Sequence, residues 1–361
     1  MRTTHFTLLF NYPIMRNKIA FIVLGIIILC SCKDLTTDNG NKKSMISPAI
    51  RYEFSGGAGH YNYAPSIIQD KYGIRYGFIC ENRDPFQIVD YVYLYKGIPT
   101  AQGYVWQPGT QIVAPSESGW DNCHICDPDV REFKTTYKGE TYNWIMTYLG
   151  VDQWDCNHNQ IGLAISKNIE GPYIKFDKNP LVAYEDRTKW GVGQSTTIVK
   201  DSTTIQLFYT STTGNGPFCM REIKLNDLDN IVLGDERKVP FIGGNSYPAL
   251  SEKNIYMVSE TRVSPITEIP TWVGDVCRLA YKPRTESLFT DTDGWTEIGH
   301  AGPEETGFPR NHNPGILTDT RGYMPNDDEL VMYFTPAMTG ENWLWSYDLY
   351  SATFNLKDYF K

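Results

Sequence analysis

Residues 124–133 read HICDPDVREF and set two carboxylates, Asp127 and Asp129, around one proline. Paired carboxylates suit acid–base chemistry, because one can deliver a proton while the other accepts or stabilises. A turn at Asp127-Pro128 interrupts the strand's alternation, so the two side chains are expected to point to different faces and one of them to enter a pocket. Asp127-Pro128 also suits a plain turn in which the carboxylate caps backbone amides. Two further carboxylates follow apolar strand stretches: Glu81 in CENR and Glu260 in SETR, the latter beside Arg262. Each fits a surface ion pair or an acid held by a charged neighbour. Arg310, Asn311, His312 and Asn313 run together before Pro314 and offer four hydrogen-bonding side chains in a row. Gln194 offers the same near Trp190, whose flat indole suits either stacking on a ligand or packing between strands. Trp120, Trp154 and Trp272 fall in expected loops and carry the same two readings, while His60 and His124 are weaker candidates of the kind His312 represents. No nucleotide loop, Gly-x-Ser-x-Gly turn or zinc-protease motif occurs.

These residues need elements to hold them, and the chain reads as all-β. Beyond the leader no 3.6-residue apolar period is sustained, whereas 24 Tyr, 16 Phe and 9 Trp are punctuated by 30 Gly and 21 Pro. Five segments open alike: Tyr63-Ala-Pro-Ser, Cys126-Asp-Pro-Asp, Gly193-Gln-Ser-Thr, Ser246-Tyr-Pro-Ala and His312-Asn-Pro-Gly. Pro65, Pro128, Pro248 and Pro314 align, with Gln194 in that place in the third segment. Each opening precedes a second strand (IRYGFICEN, TYNWIMTYLG, TIQLFYTS, NIYMVSETR, ELVMYFTPA) and a third (DYVYLYKG, NQIGLAISKN, PFCMREIKL, DVCRLAYKP, WLWSYDLYSATF). Five such units, roughly 55–65 residues apart, predict a five-bladed β-propeller. The turn into each innermost strand then lies at one rim of a central funnel, so remote openings converge on one pocket.

With those elements in place the sequence resembles the five-bladed propeller glycosidases: glycoside hydrolase family 43 and its invertase-like and agarobiase-like relatives. The resemblance rests on Asp127-Pro-Asp-Val130, Trp144-Ile-Met-Thr-Tyr-Leu-Gly150, Ile161-Gly-Leu-Ala-Ile-Ser166, Gly171-Pro-Tyr173 and Trp190-Gly-Val-Gly-Gln-Ser195, and covers about residues 55–356. It implies glycoside hydrolysis by carboxylates in the funnel, with Asp129 matching the family's pKa-tuning Asp and Asp127 the transition-state-stabilising Asp of the invertase relatives. It also implies a first-blade base and a third-blade acid. Here those places hold Tyr63-Ala-Pro-Ser66, without an acid, and Gln194-Ser195. An agarobiase-like relative uses a His as acid, which keeps a catalytic role open for His312 beside turn residue or water-mediated calcium ligand.

The remaining sequence sets the context. Arg16 and Lys18 precede an apolar run, Ile19–Leu29, of signal-peptide length, followed by Leu29-Cys-Ser-Cys32. This resembles a lipobox with lipidation at Cys32, and Lys33-Asp34 resembles the surface-export signal of Bacteroidetes lipoproteins. Residues 1–31 are therefore expected to be a signal peptide, 32–48 a flexible tether and 49–361 the propeller, with the protein anchored by lipid at the outer membrane, facing surface or periplasm. A net charge of −9 argues against nucleic acid as a partner. Cys123 and Cys126 lack the two further ligands a zinc site needs, so a local disulfide or buried thiols are expected there, and no metal is assigned beyond an open place for calcium at the axis. The favoured function is a glycosidase on plant or algal polysaccharide fragments, using Asp127 or Asp129 with Glu260, and with Glu81, Gln194, Arg262, Arg310, His312, Asn313 and Trp190 contacting an oligosaccharide substrate. A glycan-binding propeller without catalysis is the alternative, favoured by the missing first-blade acid. A protein–protein scaffold is a third class, because fold does not fix function.

Overall fold

The computed structural model of the chain describes residues 43–212, 218–241, 243–289 and 294–361. The leader and Cys32 lie outside them. Five antiparallel sheets form the blades of a propeller, and their innermost strands are Asn62–Gln69, His124–Tyr137, Val192–Val199, Gly244–Leu250 and Arg310–Ile316. Behind each comes a second strand (Arg75–Asn82, Glu140–Val151, Thr204–Ser211, Asn254–Thr261, Glu329–Ala337) and a third (Asp90–Thr100, Gln160–Ser166, Phe218–Lys224, Val276–Pro283, Leu349–Asn355). The aromatic and β-branched alternation that makes these strands also places an apolar layer on both faces of every blade. The core is accordingly five wedges between neighbouring blades. Phe78, Val92, Val130 and Met146 fill the first-to-second wedge, and Phe133, Ile145, Leu163 and Leu207 the next. Phe208, Met220, Leu250 and Met257 follow, then Val258, Leu279, Met332 and Phe334, then Ile67, Ile79, Val331 and Tyr333.

The ring is closed by strand exchange. Ala49–Phe54, from the N-terminal side, supplies the outermost strand of the fifth blade, pairing Ala49 with Thr353 and Tyr52 with Tyr350. Residues 43–46, read from sequence as tether, also touch the fold. The Ile46 amide donates to the Ile298 carbonyl (2.7 Å), and Lys43 donates to the Tyr359 carbonyl and lies over its ring.

All five inner strands carry the same irregularity. The ladder slips between Tyr63 and Ser66, Cys126 and Asp129, Gly193 and Thr196, Gly244 and Tyr247, and His312 and Gly315. One residue of each bulge is left-handed: Ala64 (φ 50°), Asp127 (46°), Gln194 (53°), Asn245 (46°) and Asn313 (45°). No glycine stands at any of these, so each bears a conformation that side-chain-bearing residues rarely adopt, a cost borne where a bulge re-aims a side chain. The alignment of the openings is corrected here. Ser195 and Ser246 follow the left-handed residue as Pro65, Pro128 and Pro314 do, and Pro248 lies two residues further along its strand.

Candidate functional site

The five left-handed residues line the floor of the funnel together with Pro65, Pro128, Ser195, Ser246, Tyr247 and Pro314, where it narrows to a cavity of about 40 Å³. The bulge turns one side chain per blade toward the axis, so the ring reads Ala, Asp, Gln, Asn, Asn. It holds one carboxylate, Asp127.

Burial is the main force raising the Asp127 carboxyl, to about 7, and the negative charge of Asp90 adds to it. His312 and the Gln194 backbone oppose the shift without cancelling it. Near neutral pH the carboxyl therefore carries a proton a good part of the time. Asp90 opens the third strand of the first blade, where it accepts a hydrogen bond from Tyr61 Oη (2.7 Å) and lies 3.1 Å from His124 Nδ1. Nothing in the sequence around Asp90 marked it, because its effect on Asp127 runs between blades. Asp127 is also fixed from below: its amide donates to Cys80 Sγ (3.0 Å), and Cys80 is disulfide-bonded to Cys126. Of the two expectations for this pair, the local bridge is corrected, and the buried thiol holds for Cys123 alone. The bond joins two blades, Cys123 is a free buried thiol, and Cys126 has no thiolate to offer zinc.

On the opposite side of the floor Glu260 and His312 form a pair. Glu260 Oε2 meets His312 Nδ1 and accepts from Asn245 Nδ2 (2.6 Å) and the Asn313 amide (3.3 Å), and Oε1 accepts from the Gly274 amide. Burial pushes the Glu260 carboxyl up, but the His312 charge and hydrogen bond, the Gly274 amide and Asn245 outweigh it and the net shift is downward. Glu260 is thus an ionised carboxylate with both oxygens engaged. The His312 ring stacks on Tyr347 (centroids 5.7 Å apart, 25° between planes), which fixes its plane, and Nε2 has no protein partner among the described residues. Glu260 pairs in register with Gly244, the residue before a left-handed one, and reaches His312, the residue before the next blade's left-handed one. Cys80 and Cys126 hold the same two positions between blades one and two. One geometry thus carries a disulfide at one junction and a Glu–His pair at another.

The other sequence candidates are distributed as follows. Asp129 is fully enclosed beneath the floor, 2.8 Å from Arg131 Nη2, and accepts from Ser66 Oγ, Tyr247 Oη and the Thr197 amide at 3.0, 3.0 and 2.7 Å. Its capacity is filled by a buried network joining four blades, and it does not line the pocket. Glu81 is buried on the other face of its strand, against Tyr95 Oη (2.5 Å) and Asn62 Nδ2 (3.1 Å). It pairs with Asn62, whereas the counterpart of Glu260 in that blade is Cys80, and one residue of register reverses the face. Arg310 is buried as well and donates to the carbonyls of Glu268, Pro270 and Pro309, so it braces a loop and lines neither the funnel floor nor the cleft beside Glu260. Trp190 packs on Cys80, Cys126 and Leu149. Gln194 and Asn313 line the funnel, and Arg262 lines a cleft of about 460 Å³ that opens beside Glu260. Trp120 packs on Tyr148, while Trp154 and Trp272 are exposed. A calcium ion takes six to eight oxygens, usually from several carboxylates. The ring offers Asp127 and amides, with Asp129 committed to Arg131, so the donor set does not fit calcium well.

No family model and no curated protein matches the chain. Solved structures do match it in fold. A family 62 α-L-arabinofuranosidase catalytic domain from Coprinopsis cinerea superposes with a TM-score of 0.55 at 12% identity, covering 87% of this chain and 98% of that one. A family 43 enzyme from Xanthomonas citri complexed with xylotriose gives 0.52 at 13%, covering 84% and 90%. A family 117 glycoside hydrolase from the marine bacterium Zobellia galactanivorans gives 0.52 at 11%, covering 87% and 91%. At such identities the likeness establishes the five-bladed propeller fold and no more.

Proposed function

We propose that this protein is a glycoside hydrolase in which Asp127 protonates the leaving oxygen and His312, held by Glu260, takes a proton from the attacking water. The observation that carries this reading is a floor carboxyl pushed upward, Asp127, together with a His312 imidazole whose Nδ1 is held by Glu260 of the adjoining cleft and whose Nε2 has no protein partner among the described residues. A protonated carboxyl and a neutral imidazole with a free nitrogen can serve as proton donor and proton acceptor. In the proposed step the bond from the anomeric carbon to the leaving oxygen breaks as that oxygen receives the Asp127 proton. Water forms the new bond to carbon and yields its proton to His312 Nε2. The Glu260 carboxylate orients the imidazole and stabilises the cation it becomes, as a carboxylate does for the histidine of a catalytic triad. The structural neighbours are glycoside hydrolases by name, which supports the reaction class.

Ala64 favours a second reading. It fills the first-blade place of the ring, where the resemblance expects a carboxylate, and a binding propeller that has lost catalysis would show such a gap. Both readings are tested by offering plant and algal oligosaccharides to the protein and to Asp127→Asn, His312→Gln and Glu260→Gln variants, with products read by chromatography. The hydrolase reading expects release that falls by about 10²–10⁴ in the Asp127 and His312 variants. Sugar binding without release by the parent protein would instead establish the binding module. We also propose the lipid anchor at Cys32, on the lipobox-like sequence alone. Labelled fatty acid should enter the protein and be absent from Cys32→Ala.

A further inference from the structure

We propose that the cleft beside Glu260 is a subsite for an anionic sugar residue, one bearing a carboxylate or a sulfate ester, with Arg262 and Arg278 as its cationic clamp and Trp272 as its stacking face. The proposal rests on the reading that this funnel handles glycans, and it names the class of glycan.

The cleft, about 460 Å³, is large enough for a sugar ring and shares Gln194 and Asn245 with the funnel floor. Its wall is built from buried, directional contacts. Asp275, itself buried, accepts from the Val263 and Ser264 amides (2.8 and 3.1 Å). Arg310 donates to the Glu268 and Pro270 carbonyls, and the Asn311 amide donates to the Gly274 carbonyl (3.1 Å). The loop after the fourth blade's second strand is thereby pinned at both ends and in the middle, and it presents Arg262 and Trp272 to the cleft. Arg262 is exposed and has no hydrogen-bond or ion-pair partner among the described residues. Arg278 reaches the same cleft from the third strand, with Glu297 at 3.5 Å as a loose partner and a third of its side chain open. Trp272 is 61% exposed and braced edge-on by Trp343 (5.6 Å), so one indole face stays free.

Hydroxyls alone do not call for guanidinium groups, since amides and carboxylates bind them as well. A planar fork with several donors matches the paired oxygens of a carboxylate or sulfate. In a chain of net charge −9, two arginines in one glycan-sized cleft, where the one lining carboxylate, Glu260, already has His312 and Asn245 as partners, are a local concentration of positive charge that would draw an anion.

The test is calorimetric binding by the full chain. The probes are oligogalacturonides and sulfated galactan oligosaccharides, each beside its carboxyl-reduced or desulfated counterpart. The expected result is an anionic probe bound at least about tenfold more tightly than its neutral counterpart, with the advantage shrinking in salt. Arg262→Gln should abolish that advantage, and Arg262→Lys should restore part of it. Which probe shows the advantage distinguishes carboxylate from sulfate. Equal binding of charged and neutral probes, equal loss on both in Arg262→Gln, or no binding to any probe would overturn the proposal. Hydrolysis is scored separately. Anionic binding without product release upholds the subsite and sinks the hydrolase reading. Release from neutral oligosaccharides, indifferent to Arg262, does the reverse.

Discussion

Asp127 combines a strained backbone, an amide tied to a disulfide sulfur and a carboxyl that resists ionisation, and these have thermodynamic consequences. Below about pH 3.8 the carboxyl is protonated whether the chain is folded or not. Between there and about 7 the unfolded chain gives up the proton and the folded one keeps it. Stability therefore falls as pH rises through that window and levels off above it, by about 2–4 kcal/mol in all. Asp127→Asn should melt higher than the parent at pH 8 and show little advantage at pH 4, which thermal denaturation at the two values will show. Turnover should decline above about pH 7 in the parent as the donor is lost, and a pH–rate profile checks this. Asp129 is also pushed upward by burial, but unlike Asp127 it sits against Arg131, Ser66, Tyr247 and the Thr197 amide, which oppose the shift. Its charge is held among four partners, and Asp129→Asn should cost about 3–5 kcal/mol in denaturant unfolding because Arg131 is left buried without its counter-charge.

At the scale of elements, the inner strand is the unit that makes the site, and its bulge was partly visible in the sequence. The proline after Ala64, Asp127 and Asn313 marks the turn, and from it the five openings, the blade count and the approach of one of the two aspartates to the funnel are legible, but not which one. Where serine stands instead, at Ser195 and Ser246, the mark is absent, and Pro248 drew the alignment off by two residues. Glu81 was misplaced by a single residue for the same reason: strand position from sequence is soft, and a pleated strand turns a one-residue error into the wrong face. Asp90, the Glu260–His312 pair and the Cys80–Cys126 bond all act between blades, and no local pattern reports a contact across a wedge. The two inter-blade bridges also yield a prediction. Cys80 and Cys126 close a loop 46 residues apart, so a Cys80→Ser, Cys126→Ser double variant should lose about 4 kcal/mol or less of stability. Because the bond lies under Asp127 on the far side of the floor from Glu260, its loss should lower turnover more than it weakens sugar binding at the blade-four cleft. Denaturant melts and the binding titration separate the two.

For the whole molecule, stability is distributed over five wedges and one closure. The fifth blade is complete only when Ala49–Phe54 covers the edge of Leu349–Asn355. A protein beginning after residue 54 would present that third strand as an open edge, the arrangement that promotes pairing between chains. Such a truncation should aggregate or melt well below the full propeller in light scattering and thermal scans, although it removes no residue of the funnel. The same closure brings Lys43 against Tyr359, at the two extremes of the described chain. A short graft between them would make the polypeptide circular in all but one break, and that break could then be moved to any turn between blades. The order of blades would read differently in each such rearranged gene, yet the ring of Ala64, Asp127, Gln194, Asn245 and Asn313 would be restored, since the funnel depends on who neighbours whom and has no need of a first blade.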